Sequence, residues 1–293
     1  MEQTLDSKRI AQLPLRELTR HGGEGLLLER FYIETLETTW TFEQKSEVMS
    51  LADDVVHVYH AGDDRDDKTY ATHVLRVASR ILSPNHFNIR NDPDLIIAAL
   101  LHDVVEDHPE RLLGFNIAKA LTVEASKEHR KRALEAIAKK YDDGAGRGER
   151  IAAMVEALSN PIYDKTGVSQ EQRQEYYREH VRDLMQHGGN ERLIKLSDFI
   201  DNCLGLKYNP DPDLQKKLAP KYLPLIQQMR EFVVSSQLAI SVQADILRDL
   251  GQAEILCRSV IHDGVDVFHS LGAVAATGFS EKNDLVSLGQ SAK

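Results

Sequence analysis

The run Leu95-Ile96-Ile97-Ala98-Ala99-Leu100-Leu101 leads directly into His102-Asp103-Val104-Val105-Glu106-Asp107, so an apolar helix ends in one imidazole and three carboxylates. Apolar residues on every side of the helix mark it as buried rather than amphipathic. Helical spacing pairs His102 with Glu106 and Asp103 with Asp107 on neighbouring faces. Carboxylates at a helix C-terminus meet the negative end of the macrodipole, and like charges crowded against a core repel one another strongly. A bound cation resolves both conflicts; a helix end opening into water, with hydrated acids, is the alternative.

Two further segments carry groups that could converge on this cluster. On a helix after Thr69, His73 shares its row with Val77 and Ile81, where a histidine is either a hydrogen-bonded core group or a ligand. On a helix around Leu193–Leu204, one face holds Lys195, Asp198, Asp201 and Asn202, and this face meets either water or a pocket. His73, His102, Asp103 and Asp198, drawn from three helices, suit a divalent metal that prefers nitrogen and oxygen ligands, such as manganese, iron or zinc. Such an ion polarises an electrophile and acidifies bound water, while a nearby carboxylate moves protons. Glu106 and Asp107 are the residues placed for that second task.

Helical periodicity runs through the chain, with predicted helices near 43–61, 70–82, 94–107, 125–140, 148–158, 170–186, 190–206 and 213–249. No alternating β-branched run stands out, and the fold class is all-α. The segments 62–68 and 141–148 read as loops, and Asn160-Pro161 stops the helix before it. The first forty residues and the tail after Gly272 read as peripheral. The 293 residues, 42% hydrophobic, suffice for a large core, and a net charge of −10 argues against nucleic-acid or membrane-surface partners, which favour a basic face. Cys203 and Cys257 form no Cys-x-x-Cys pair, there is no membrane-length apolar run, and the N-terminus lacks the order of a secretion signal. These features predict a cytoplasmic protein.

The ordered set His73, His102-Asp103, Asp198 resembles the H…HD…D signature of the HD-domain metal-dependent phosphohydrolases. More narrowly, Tyr70–Ala78, the HDxxED run His102–Asp107 and the KxxDxxxN run Lys195–Asn202 resemble the hydrolase domain of RelA/SpoT proteins and the small alarmone hydrolases. The resemblance implies an all-α HD-domain helical bundle that uses Mn2+ to release the 3′-pyrophosphate of the guanosine alarmones (p)ppGpp. It assigns His73, His102, Asp103 and Asp198 to the metal, Glu106 and Asp107 to the attacking water and leaving oxygen, and Asn202 to orienting the substrate or metal-bound water. Tyr222 falls where the family sets a tyrosine against the nucleoside, with a core tyrosine as the equal alternative. Lys195, Arg65 and Lys68 are further substrate-binding candidates, although Lys195 could instead brace Asp198, and Arg65 and Lys68 could be solvated loop charges. The loop before His73 is shorter and more acidic than in the family, and the segment from Asp107 to Ile151 is longer. Its basic run, Lys127–Arg132, reads as a solvated helix face.

The resemblance spans Ser46 to Phe232. It divides the chain into an N-terminal extension (1–45), a hydrolase domain (46–232) and a C-terminal helical extension and tail (233–293), with no synthetase domain after Asn202. The expected partner is a small phosphorylated nucleotide, and an oligomer is compatible with the chain. An HD phosphohydrolase for another nucleotide and a non-catalytic helical sensor are the alternatives.

Overall fold

The computed structural model describes residues 10, 13–65, 68–114, 122–164 and 166–262, and the tail after Gly272 lies outside them. The fold is all-α. Its helices are α1 (Leu15–Leu36), α2 (Phe42–Asp54), α3 (Ala71–Leu82), α4 (Pro93–Leu101), α5 (Val104–Asp107), α6 (Pro109–Leu113) and α7 (Val123–Lys140). They continue with α8 (Arg147–Leu158), α9 (Gln170–His187), α10 (Glu191–Gly205), α11 (Pro212–Tyr222), α12 (Ile226–Ser235) and α13 (Ile240–His262). A π-turn, Val55–Tyr59, prolongs α2, and β1 (Asp64–Arg65) pairs antiparallel with β2 (Lys68–Thr69), giving the expected loop 62–68 a short hairpin.

Local chemistry sets the helix starts. Thr41 and Gln44 close a capping box on α2, and Ser169 and Gln172 close one on α9. Asp92 caps α4 through the amide of Leu95, with Pro93 in the first turn, where its missing N–H costs nothing.

Helix α4 is the axis of the molecule: Leu95 through Leu101 are fully or almost fully buried, among α2, α3, α8 and α10. Each such Leu or Ile contributes about 1.5–3 kcal/mol of burial, so the chain invests heavily in fixing the element that carries His102 and Asp103. The expected helix 94–107 is interrupted at those two residues. His102 turns its Nδ1–H onto the carbonyl of Ala99 at 2.7 Å, and α5 restarts at Val104. The expected helix 213–249 divides into three: Pro224 sits in a 3₁₀ turn after α11, and Ser236 ends α12 with its hydroxyl donating to Val233 O.

The peripheral reading of the first forty residues is corrected by α1. Leu18, Leu27 and Phe31 are fully buried, and α1 packs along α3. Arg30, 2% exposed, ties this segment down by donating to Ile10 O and Glu34 Oε1. The amphipathic stripe was present in the sequence but broken by Gly22 and Gly23; at Gly23 the helix bends, with φ +61°.

Candidate metal centre and active site

Three helices bring His73, His102 and Asp198 together, one ligand atom of each lying within 4.8 Å of the others, and all three are buried. His73 Nε2 stands 3.3 Å from Asp198 Oδ1 and 3.5 Å from Asp103 Oδ2, and His102 Nε2 is 3.2 Å from Asp103 Oδ2. Nitrogen and oxygen atoms bound at ~2.1 Å to one tetrahedral ion stand about 3.4 Å apart, so these three contacts already have ligand-like spans, while Asp103 lies beside the His73–His102–Asp198 group.

The tautomers fit as well. His73 Nδ1 donates to Asp201 Oδ2 at 2.8 Å and His102 Nδ1 donates to Ala99 O, which turns both Nε2 atoms toward the carboxylates. His102 Nε2 is buried without a hydrogen-bond partner. A buried polar atom left this way costs about 1–3 kcal/mol, and a divalent ion in place of the proton on Nε2 would satisfy it. The buried His73–His102–Asp198 group could therefore hold a metal ion, with Asp103 beside it.

The charges respond to one another. Burial lowers the tendency of His102 to protonate, but Asp103 and Asp198 outweigh it and push the imidazole up to about 9. Asp198 is desolvated, yet Lys195 and the two histidines hold it well below the usual carboxylate range. A cation here would displace the proton from His102 and take over its role as counter-charge.

Two of the predicted substrate-binding residues contact the centre itself, and a third is in the core. Lys195 Nζ lies 3.1 Å from Asp198 Oδ2, the bracing alternative, and Asn202 Nδ2 donates to Asp198 Oδ1 at 2.5 Å. Tyr222 is in the core, its ring edge-on to Phe199 and Tyr177, which is the other alternative left open for it. The side chains of Arg65 and Lys68 lie outside the described residues; their backbones form the hairpin next to Tyr70.

Glu106 and Asp107 stand between the centre and a cavity of about 1530 Å³. Glu106 accepts hydrogen bonds from the Asn160 amide at 2.6 Å and side chain at 2.9 Å, and burial together with Asp103 raises its pKa. Asp107 reaches the cavity mouth, and desolvation plus the charges of Asp103 and Glu106 push it up to about 7. A carboxyl poised there can exist as either acid or base at neutral pH.

The cavity lining also carries Lys127, Arg130, Arg173, Lys217 and Lys221, interspersed with Glu110, Glu124 and Asp164. Lys221 Nζ sits 3.6 Å over the ring of Tyr177, itself part of the wall. The basic run 127–132 is thus not wholly solvated: Arg130 buries its Nε without a hydrogen-bond partner, next to Glu106 and Glu156.

Sequence reading missed three supporting residues. Asp201 accepts from His73 and pairs with Arg76 through both oxygens at 2.9 Å. Tyr70 donates to Asp103 Oδ2 at 2.7 Å, and Asn160 holds Glu106. Asp201 had a signal, its place on the polar face with Asp198; Asn160, predicted only as a helix stop, had none. No protein-family model matches the chain, and no curated protein matches it.

Proposed function

We propose that this protein is a metal-dependent phosphohydrolase of the HD-domain kind, cytoplasmic, that uses Mn2+ to release pyrophosphate from a guanosine alarmone such as ppGpp. The observation that carries the reading is the cavity. It adjoins a metal-capable His/Asp group through two carboxyls of raised pKa, and Lys127, Arg130, Arg173, Lys217 and Lys221 line it together with the acids Glu110, Glu124 and Asp164. Cations set among carboxylates, with a metal-capable group adjoining, equip such a concavity for a polyanion that arrives with or meets a divalent ion. The resemblance in the His73, His102–Asp107 and Lys195–Asn202 runs narrows that polyanion to a polyphosphorylated nucleotide.

His73, His102, Asp103 and Asp198 would hold the metal, all through nitrogen and oxygen, a donor set that suits manganese. When bound, the metal supplies Lewis-acid polarisation of a phosphoryl oxygen and an acidified water. The remaining work belongs to the chain. Glu106, held by Asn160, is fixed to receive a proton from the attacking water, and Asp107, whose carboxyl burial pushes up, returns one to the leaving oxygen. Arg130, Lys127 and Lys221 neutralise the phosphates and orient the diphosphate toward the two carboxyls.

Incubating the purified protein with Mn2+ and a nucleotide panel, and resolving the products, tests this. Pyrophosphate released from ppGpp is the expected result. Glu106→Gln and Asp107→Asn should each lower turnover by about two orders of magnitude or more while metal content is kept. If ppGpp stays intact while another nucleotide is cleaved, the alarmone assignment fails and the hydrolase reading stands. No cleavage of any nucleotide by metal-loaded protein would leave a binding module as the better account.

A further inference from the structure

A second group of metal-ligating side chains lies beyond Tyr70 from His73. His60 follows the π-turn, Asp63 comes three residues later, and His108 joins α5 to α6; one ligand atom from each lies within 4.8 Å of the others. Asp63 Oδ2 is the shared apex, 2.5 Å from His108 Nε2 and 3.3 Å from His60 Nδ1. Around a tetrahedral ion with ~2.1 Å bonds, neighbouring ligand atoms are about 3.4 Å apart. The His60 edge has that span already, and the His108 edge needs to open by about 1 Å.

The other atoms of His108 and Asp63 are engaged in the way metal ligands are held. His108 Nδ1 faces Glu110 Oε1 at 3.2 Å, the carboxylate–imidazole pairing that leaves the lone pair on Nε2. Asp63 Oδ1 receives Arg111 Nη2 at 3.4 Å, and Arg111 is itself fixed by donating to Tyr59 O at 2.6 Å. The His60 ring stacks on Tyr70 at 4.8 Å and meets His108 edge-on at 5.4 Å. Since His60 Nε2 is buried without a hydrogen-bond partner, the directed contact of this ring is through Nδ1, aimed at Asp63. Asp63 and His108 keep 22% and 18% of their side-chain surface, which leaves a path for an ion from solvent.

We propose that His60, Asp63 and His108 form a second divalent-metal site, of the nitrogen-rich class that takes zinc. It goes beyond the phosphohydrolase reading and does not depend on it. Tyr70 stands between the two groups, stacked on His60 and donating to Asp103, so the second ion is not half of a two-metal catalytic pair. Its work is positional: it clips the segment that carries Tyr70 to the turn just after Glu106 and Asp107. The rival is a metal-free latch, Arg111–Asp63–His108–Glu110, doing the same by hydrogen bonds.

Stoichiometric zinc titration of the full chain, stripped with chelator, separates the two. The wild type is expected to bind two tight equivalents. Asp63→Asn and His108→Gln should each weaken one of them at least tenfold while keeping the other, and His102→Gln should do the converse. His60→Asn, checked for folding by circular dichroism, offers a third route should either of the first two variants misfold. A single wild-type equivalent that survives His102→Gln and is lost in His108→Gln supports this site and sinks the first centre instead. A single equivalent lost in His102→Gln, or two unaffected by Asp63→Asn and His108→Gln, overturns the proposal in favour of the latch.

Discussion

Asp201 does more for the centre than any residue predicted only to touch substrate. It fixes the tautomer of His73 through Nδ1, and it is the common counter-charge of Arg16, Arg76 and Arg80. Burial opposes its ionisation, but Arg16 and Arg76 hold the carboxyl well below its usual range. Asp201→Asn keeps the shape and removes the charge. Such outer contacts are worth about 10–100-fold in metal affinity, and uncovering buried guanidinium groups costs about 3–5 kcal/mol. Competition with a chromophoric chelator should show the affinity loss and a thermal melt the stability loss; unchanged affinity would reduce Asp201 to a structural ion pair. At this scale the sequence was readable where chemistry is written in residue type. Two histidines and two aspartates on predicted helices do come together. It was unreadable where the partner is a matter of tertiary approach, as with Tyr70 on Asp103 and Asn160 on Glu106, since nothing in periodicity says which loop meets which helix end.

The elements that aim Glu106 are α7 and α8, and their packing rests on Gly148. A Cβ there would lie 1.9 Å from the carbonyl oxygen of Ala138, so the two backbones touch where only glycine fits. Helix α8 then delivers Ser159 and Asn160 at its C-terminal end, and Asn160 clamps Glu106. Gly148→Ala should force the helices apart at a cost of about 1–3 kcal/mol, measurable as a lower denaturant midpoint. The same substitution at Gly144, whose Cβ direction is open but whose φ is +73°, tests backbone strain alone. Equal losses would mean that helix contact is not what Gly148 provides. Both helices were legible from their apolar period and the glycine-rich loop between them. Their close approach was not, because a glycine inside a loop-to-helix junction reads as a turn signal whether or not another backbone lies against it. The division of 213–249 into three helices was likewise hidden: Pro224 and Ser236 interrupt an apolar row that stays in phase across them.

Over the whole molecule, an acidic chain buries a small set of its cations. Arg30, Arg76 and Arg80 are each 5% exposed or less, and among the described residues no helix is long and apolar enough to cross a membrane. His86, in the connection from α3 to α4, lies within the field of this buried cation set. Burial first, then Arg80, Arg30 and Arg248, push its imidazole down to about 3, with Asp245 the opposing charge. An unfolded histidine titrates near 6.5. Between about pH 6.5 and 3 the unfolded chain therefore binds a proton that the folded chain refuses, so folding stability falls as pH falls through that window. At pH 5 the share due to His86 is about 2 kcal/mol. His60 and His180, both held down to about 4 chiefly by burial, act in the same direction. Denaturation of wild type and His86→Asn at pH 7 and pH 5 isolates the His86 share as the difference between the two pH slopes. The variant should lose about 2 kcal/mol less than wild type on acidification, whatever it loses in packing at pH 7. Parallel slopes would mean that His86 protonates in the folded protein as readily as in water, and that the cations around it are screened.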